Sequence, residues 1–426
     1  MKIRSLLLGS VAAAGLSTAG FAADLGVVTS LDVCDELGLS GLTISSDDNC
    51  LVITGGVTYE YSIGDYAGGP AMTFFEGDGS FRRSADDNGV IDSAVTLSAW
   101  LKFVATSSSD FGPANATIKL LVDEWDGNAN NGPYLEVDEA WVGIGDTTVI
   151  MAGKKGSIFK AGDDEPLNYL GLFNSSNVDA GVGFSDDNNG NGPLAGAGAS
   201  TGGIVIQVVS NLGNGLSIGG GLENLNDSNG AATYTAVGVI SYAGDGITAH
   251  ASGAVDQASN WKAHAGFTGA WDPIKVVGAI AANNDPATLS GIWWNALGSV
   301  SATFDMFTIA LSGEATSEDE WGVGGSISAA VSDGVKINLG SRYFNTTFAP
   351  SEVWQTEVGV SAAVTETLTL SAAIGMYDSS NNAADNFYGK AGLAWAPGGG
   401  FTSSIAGEVN SLGAYKATFK AAKDIK

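Results

Sequence analysis

Among residue types that could do chemistry, the chain of 426 residues is sparing: it has two histidines, His250 and His264, and two cysteines, Cys34 and Cys50. Period-two parity puts the histidines on the same strand faces as Thr248 and Lys262. Nucleophilic catalysis needs a base in reach of a nucleophile, and a lipid-cleaving barrel would need Ser and His together on the lipid face near a rim. Neither pattern is present, so the histidines read as polar residues of an interior surface and the chain as non-enzymatic. The GGG runs at 219–221 and 398–400 neither open a helix nor precede Lys-Ser/Thr, so they are strand and turn glycines rather than phosphate loops. No metal-ligand spacing and no cofactor motif is found.

Charge is the more informative chemistry. The stretch 154–200, KKGSIFKAGDDEPLNYLGLFNSSNVDAGVGFSDDNNGNGPLAGAGAS, lacks the alternation seen elsewhere, and its flanks TTVIMAG and GIVIQVVS are strand-like. A long structureless run inside a compact fold is usually functional. It reads as a loop folded into a barrel, bringing Asp163, Asp164 and Glu165 to the narrowest part of a pathway. Parity places Lys102, Lys119, Lys262, Lys336, Arg342 and Lys390 on the facing polar surface. Opposed acids and bases across a narrow gap make a transverse field, and side-chain rings of this kind select among permeating species.

The elements that must position these residues follow from the rest of the chain. Residues 1–22, MKIRSLLLGSVAAAGLSTAGFA, have Lys2 and Arg4 before a short apolar run and small residues at 20 and 22, the pattern of a cleaved export signal. No later stretch is a continuous apolar span, so a membrane location requires a closed β-barrel. Export also places the cysteines in an oxidising compartment, which makes a Cys34–Cys50 disulfide the expectation.

From Leu51 onward the sequence alternates apolar and polar with period two. In SAVTLSAWLKFVAT, for example, Val95, Leu97, Ala99, Leu101 and Phe103 oppose Thr96, Ser98, Trp100 and Lys102. Short turns at 146–147, 213–215, 244–246, 272–273, 305–306, 332–334, 365–367 and 397–400 alternate with longer polar connections, the asymmetry of a transmembrane barrel. Trp141, Trp261, Trp271, Trp294, Trp321, Trp354 and Trp395 near strand ends suggest interfacial girdles. The fold expected is all-β: a transmembrane antiparallel barrel of 16 to 20 strands with an inward constriction loop. Its divisions are a signal at 1–22, a disulfide-bearing segment at 23–50 and a barrel at 51–426.

The net charge is −28, which argues against nucleic acid as a partner. The acids cluster in turn-like segments (SDDNC, ADDN, GDDEP, SDDNNGN, TSEDE), which would draw cations toward a pore or hold divalent ions against outer-membrane lipopolysaccharide. The alternative is a secreted acidic calcium-binding adhesin or surface-layer protein. Its acidic turns should recur at a fixed period, whereas these are irregularly spaced.

The opening MKIRSLLLGS, VCDELG with NCLVITGGV, AWVGIG, and GSIFKAG followed by NYLGLFNSSNV resemble the alphaproteobacterial general porins of the outer membrane, chiefly over the first half of the chain. The resemblance implies a homotrimer of barrels, usually of sixteen strands, whose third extracellular loop constricts a channel for small hydrophilic solutes and ions. The chain departs from that pattern in its higher strand count. It also ends FKAAKDIK without a terminal aromatic, so the last strand is expected to stop near Ala421 or to be recognised differently.

Overall fold

The computed structural model describes residues 33–34, 37–46, 48–66, 91–125, 135–162, 165–172, 199–228, 231–284, 291–317, 319–345, 352–379, 386–411 and 413–426. The export signal expected at 1–22 lies outside them. The alternating segments form β1 (Leu42–Ser45), β2 (Cys50–Asp65), β3 (Asp92–Ser107), β4 (Ala114–Trp125), β5 (Leu135–Gly145), β6 (Thr148–Lys155) and β7 (Gly203–Gly213). They continue as β8 (Leu216–Ser228), β9 (Ala231–Gly244), β10 (Ile247–Asp256), β11 (Trp261–Trp271), β12 (Ile274–Asn284), β13 (Ile292–Phe304) and β14 (Phe307–Thr316). The last are β15 (Trp321–Ser332), β16 (Val335–Asn345), β17 (Glu352–Thr365), β18 (Leu368–Ser379), β19 (Asn386–Gly398), β20 (Phe401–Asn410) and β21 (Tyr415–Ile425).

From β2 onward each strand pairs antiparallel with the next, and β21 returns to β2 from Asp65↔Tyr415 to Gly55↔Ile425. The sheet is therefore closed, which removes the exposed edges that an open sheet would present to lipid. β1 adds no further stave. It pairs with β2 from Leu42↔Ile53 to Ser45↔Cys50, just beyond the point where β21 ends, so β1 and β21 share one row of a barrel of 20 strands. That is the upper end of the expected range and exceeds the sixteen of the resembled family. The last strand does not stop at Ala421. It runs on through Lys423↔Val57 to Ile425: Phe419 and Ile425 face outward and Lys420 and Asp424 the interior, while Lys423, on the outward parity, turns its Nζ to the Gly399 and Asp424 carbonyls at the rim.

One rim carries two-residue turns at 146–147, 214–215, 245–246, 272–273, 305–306, 333–334, 366–367 and 399–400, with 108–113 as its longest connection. Several turns use left-handed residues, such as Asn214-Gly215 and Asp245-Gly246, which suit the twist of a tight hairpin. Both ends of the barrel meet at this rim, as an even strand number requires. The Cys34–Cys50 disulfide forms there, with both sulfurs' residues buried. It ties the segment before the barrel to the first residue of β2.

The two faces differ as parity requires. Outside, large apolar side chains stand free, with Leu311 61% and Ile374 70% exposed. An apolar exterior on a closed sheet is the lipid-facing wall of a multi-pass outer-membrane barrel. Trp271 and Trp395 lie outward at the short-turn rim and Trp294, Trp321 and Trp354 at the other, where Tyr343 packs between Trp321 and Trp354 at ring distances of 5.3 and 5.8 Å. Trp141 is not part of either girdle. It faces the interior and donates its Nε1 hydrogen to Glu139 at 3.0 Å.

Candidate functional site

The interior face is polar, and one stretch of it is buried by a segment of the same chain. The connection between β6 and β7 spans 156–202, since Lys154 and Lys155 still belong to β6. Its described parts are 156–162, 165–172 and 199–202, and the first two lie against the inward faces of strands β8 to β17. The contacts advance around the wall in order. Ile158 N donates to Glu223 Oε1 on β8 at 2.9 Å, Lys160 Nζ to Ser241 on β9 at 3.1 Å and Lys160 N to Ser252 on β10 at 3.0 Å. Leu167 N then donates to Ser299 on β13 at 2.9 Å and Tyr169 N to Ser326 on β15 at 3.0 Å. Tyr169 Oη finally donates to Glu357 on β17 at 2.6 Å. Serines spaced around the wall thus satisfy the backbone donors of a segment that makes no ladder of its own.

Apolar contacts hold the same path. Leu172 packs with Val277, Ala279 and Leu297, and Ile158 and Phe159 pack on Ala199, Val237 and Ala254. The Tyr169 hydroxyl sits over Gly359, and a larger residue there would have to displace it. Burial first, and then its hydrogen bond to Glu357, raises the Tyr169 phenol above its ordinary value. It therefore serves as a neutral donor.

Two anchors stand out. At the root of the segment, Glu223 is fully buried and its Oε2 accepts from Gly202 N at 2.7 Å, so one carboxylate holds both ends of the connection. Gln207 Nε2 completes the set by donating to Gly156 O and Glu223 Oε1. Further along the segment, Glu357 receives Tyr169, Tyr388 Oη at 2.7 Å and Lys390 Nζ at 3.0 Å. Arg342 donates to Leu170 O at 2.9 Å and to Gln355 Oε1 at 2.7 Å, and Gln355 Nε2 donates to Tyr388 Oη at 2.7 Å.

The expected bases divide by position. Arg342 and Lys262 are 3% and 7% exposed beneath the segment: Arg342 bonds its carbonyls, and Lys262 donates to Thr201 at 3.0 Å and lies 5.1 Å from the Phe159 ring. Lys336 sits exposed beside the 333–334 turn. Lys102, Lys119 and Lys390 line the wall, each paired with an acid: Lys102–Glu139 at 3.2 Å, Lys119–Asp138 at 2.6 Å and Lys390–Glu357. A bulge opposite Lys119 and Leu120 turns both Asp138 and Glu139 inward, a second acid that strict alternation does not reveal. Lys420–Glu60 adds a fourth pair at 3.5 Å. Glu165 is exposed, whereas Asp163 and Asp164, like Asp186 and Asp187, lie outside the described residues.

His250 Nε2 and His264 Nδ1 are 2.7 Å apart with stacked rings, buried on the interior face beneath the segment. Gly266 leaves room for them: a Cβ there would fall 2.6 Å from His250 Cε1 and 2.8 Å from Gly162 O. The histidines therefore belong to the packing under the segment. Among the described residues, no group of three or more His, Cys, Asp or Glu is arranged to hold a metal ion.

No family model matches the chain, and no curated relative does. Among solved structures, Acinetobacter baumannii OccAB4 is similar at 11% identity and TM-score 0.47, over 89% of this chain and 98% of that one. A mutant of Rh. blastica porin is similar at 12% identity and TM-score 0.41, over 88% and 99%. A trimer form of OmpT, an outer membrane protein of Vibrio cholerae, is similar at 9% identity and TM-score 0.38, over 89% and 100%.

Proposed function

We propose that the chain is an outer-membrane porin: a water-filled channel through which small hydrophilic solutes and ions diffuse passively, with cations preferred. The observation that carries this reading is a closed 20-strand barrel with a polar interior, along one wall of which 156–162 and 165–172 lie. Barrels of 16 to 18 strands already leave an aqueous channel, so a wider one remains open unless something narrows it. The inward segment supplies the narrowing. The charges we assign to the gap are Glu165, exposed on the segment, with its sequence neighbours Asp163 and Asp164, and Lys102, Lys119 and Lys390 on the wall, while Lys262 and Arg342 add positive charge behind the segment and Lys336 charges the rim.

The net charge of −28 and the turn carboxylates Asp146, Asp245, Asp272, Asp305, Asp333 and Glu366 at one rim support cation enrichment at the mouth. The cysteine segment and the NYLGLFNSSNV run carry the resemblance to alphaproteobacterial general porins, and with it homotrimers embedded in outer-membrane lipid and lipopolysaccharide. Liposome swelling tests the reading. Purified protein should admit neutral sugars with a rate that falls steeply with size, and swelling no faster than protein-free liposomes would overturn it.

A further inference from the structure

We propose that the lumen wall of β3, β4 and β5 carries a saccharide-binding track: Trp100 and Trp141 stack the apolar faces of sugar rings, and the ion pairs between them bond the hydroxyls. The inference rests on the channel reading above and adds to it the class of solute that the wall recognises. Trp100 shares the inward parity of Lys102 on β3, and Trp141 that of Glu139 on β5. Between them runs one cross-strand row, Lys102↔Lys119↔Glu139, with Asp138 turned inward beside it by the bulge. The indoles bracket this row, Trp141 two residues toward the short-turn rim and Trp100 two residues toward the opposite rim, about 13 Å apart along the strands. Neither belongs to the stretch of wall, β8 to β17, that 156–162 and 165–172 line.

Trp100 and Trp141 are half-buried. Lys119 Nζ lies 5.8 Å from the Trp100 ring centroid and Lys155 Nζ 5.2 Å from that of Trp141, so each ring offers a face to a polar group. Gly56 and Gly143 leave room for the indoles: a Cβ at 56 would fall 2.7 Å from Trp100 Nε1, and one at 143 would fall 3.1 Å from Trp141 Cζ3. In the row, the side chains of Lys102–Glu139 and Lys119–Asp138 remain 24 to 33% exposed. Two lysines and two carboxylates cancel, so the row itself gives an ion no net attraction. Each ammonium nevertheless retains N–H donors, and each carboxylate acceptor sites, beyond those spent on the pairing. Ligand sites combine aromatic and apolar surface with a few placed polar groups that fix orientation. The molecule that complements paired donors and acceptors between two indoles is neutral, bears adjacent hydroxyls that both donate and accept, and has an apolar face. That is a pyranose, and the spacing of the indoles fits a short chain of them rather than a single ring.

The test is single-channel recording of the full protein with maltotriose as the probe. Maltotriose should interrupt the current reversibly, with an occupancy that saturates as its concentration rises. Polyethylene glycol of equal mass, which has no ring to stack and no adjacent hydroxyls, should lower conductance without such events. Trp100→Ala and Trp141→Ala should each weaken maltotriose binding by about threefold to tenfold, the loss of one aromatic contact. Trp100→Phe and Trp141→Phe keep an aromatic ring in the wall if an Ala variant fails to assemble, and should weaken binding less. Asp138→Asn should also weaken it with both indoles kept, and Trp395→Phe, on the outer face, should leave it unchanged. Uninterrupted current with maltotriose, equal events with polyethylene glycol, or unchanged affinity in all the Trp100 and Trp141 variants would overturn the track. Absence of any current from the wild-type protein would instead overturn the channel reading.

Discussion

At the scale of single residues, the interior bases fall into two groups, those buried against the segment and those left partly exposed on the wall. Lys262 and Arg342 belong to the first group, and Lys102, Lys119 and Lys390 to the second, though parity alone assigned all five to one face. Sequence fixes the face of a strand residue but neither its height nor what covers it. For that reason Glu223 and Glu357, the two carboxylates that hold the segment, left no signal that separated them from other acids. The disulfide was legible because only two cysteines stand in an exported chain. Replacing Cys34 and Cys50 by Ser should lower stability by about 3 kcal/mol for a loop of this size while leaving conduction intact, measured by chemical unfolding and bilayer recording on the same preparation. Conduction lost with unchanged stability would show that the bond shapes the pathway itself. Neutralising Asp163, Asp164 and Glu165 together should weaken cation preference in reversal-potential measurements, and the same change at Asp186 and Asp187 should do less. Equal effects at the two sites would mean that the acids act by distant field alone.

At the scale of elements, alternation carried nearly everything: strand faces, the short-turn rim, and the run from 154 to 200 that lacks alternation. It failed where the chain breaks period two. The bulge that turns both Asp138 and Glu139 inward leaves no mark in the alternation, and Trp141, near a strand end as a girdle residue would be, faces the interior. Basic residues near the C-terminus hid the end of β21, which pairs through Ile425. The face assignment can be tested on neighbouring positions of β20. Ile405 is outward and 57% exposed, with Leu393 and Phe419 as partners, whereas Ala406 faces the interior. Ile405→Arg should cost about 2 to 4 kcal/mol near the bilayer midplane and Ala406→Arg little, as read by unfolding in lipid. Equal costs would mean that the faces are misassigned.

At the scale of the whole molecule, closure is what allows a polar interior and an apolar exterior to coexist in 426 residues with an excess of 28 negative charges. Among the described residues, Asp146, Asp245, Asp272, Asp305, Asp333 and Glu366 stand in the turns of one rim, where water and counterions screen them. Screening also sets a salt dependence: the Debye length is about 10 Å at 0.1 M and 30 Å at 0.01 M, so cation preference should strengthen as salt is lowered. The central claim is a continuous aqueous pathway narrowed by one inward segment, and a planar bilayer reaches it most directly. Purified protein should insert in discrete steps of uniform conductance, with a reversal potential under a salt gradient that favours cations and does so more strongly at 0.01 M than at 0.1 M, the range over which screening weakens. A bilayer that stays silent after insertion of folded, heat-modifiable protein would contradict the account.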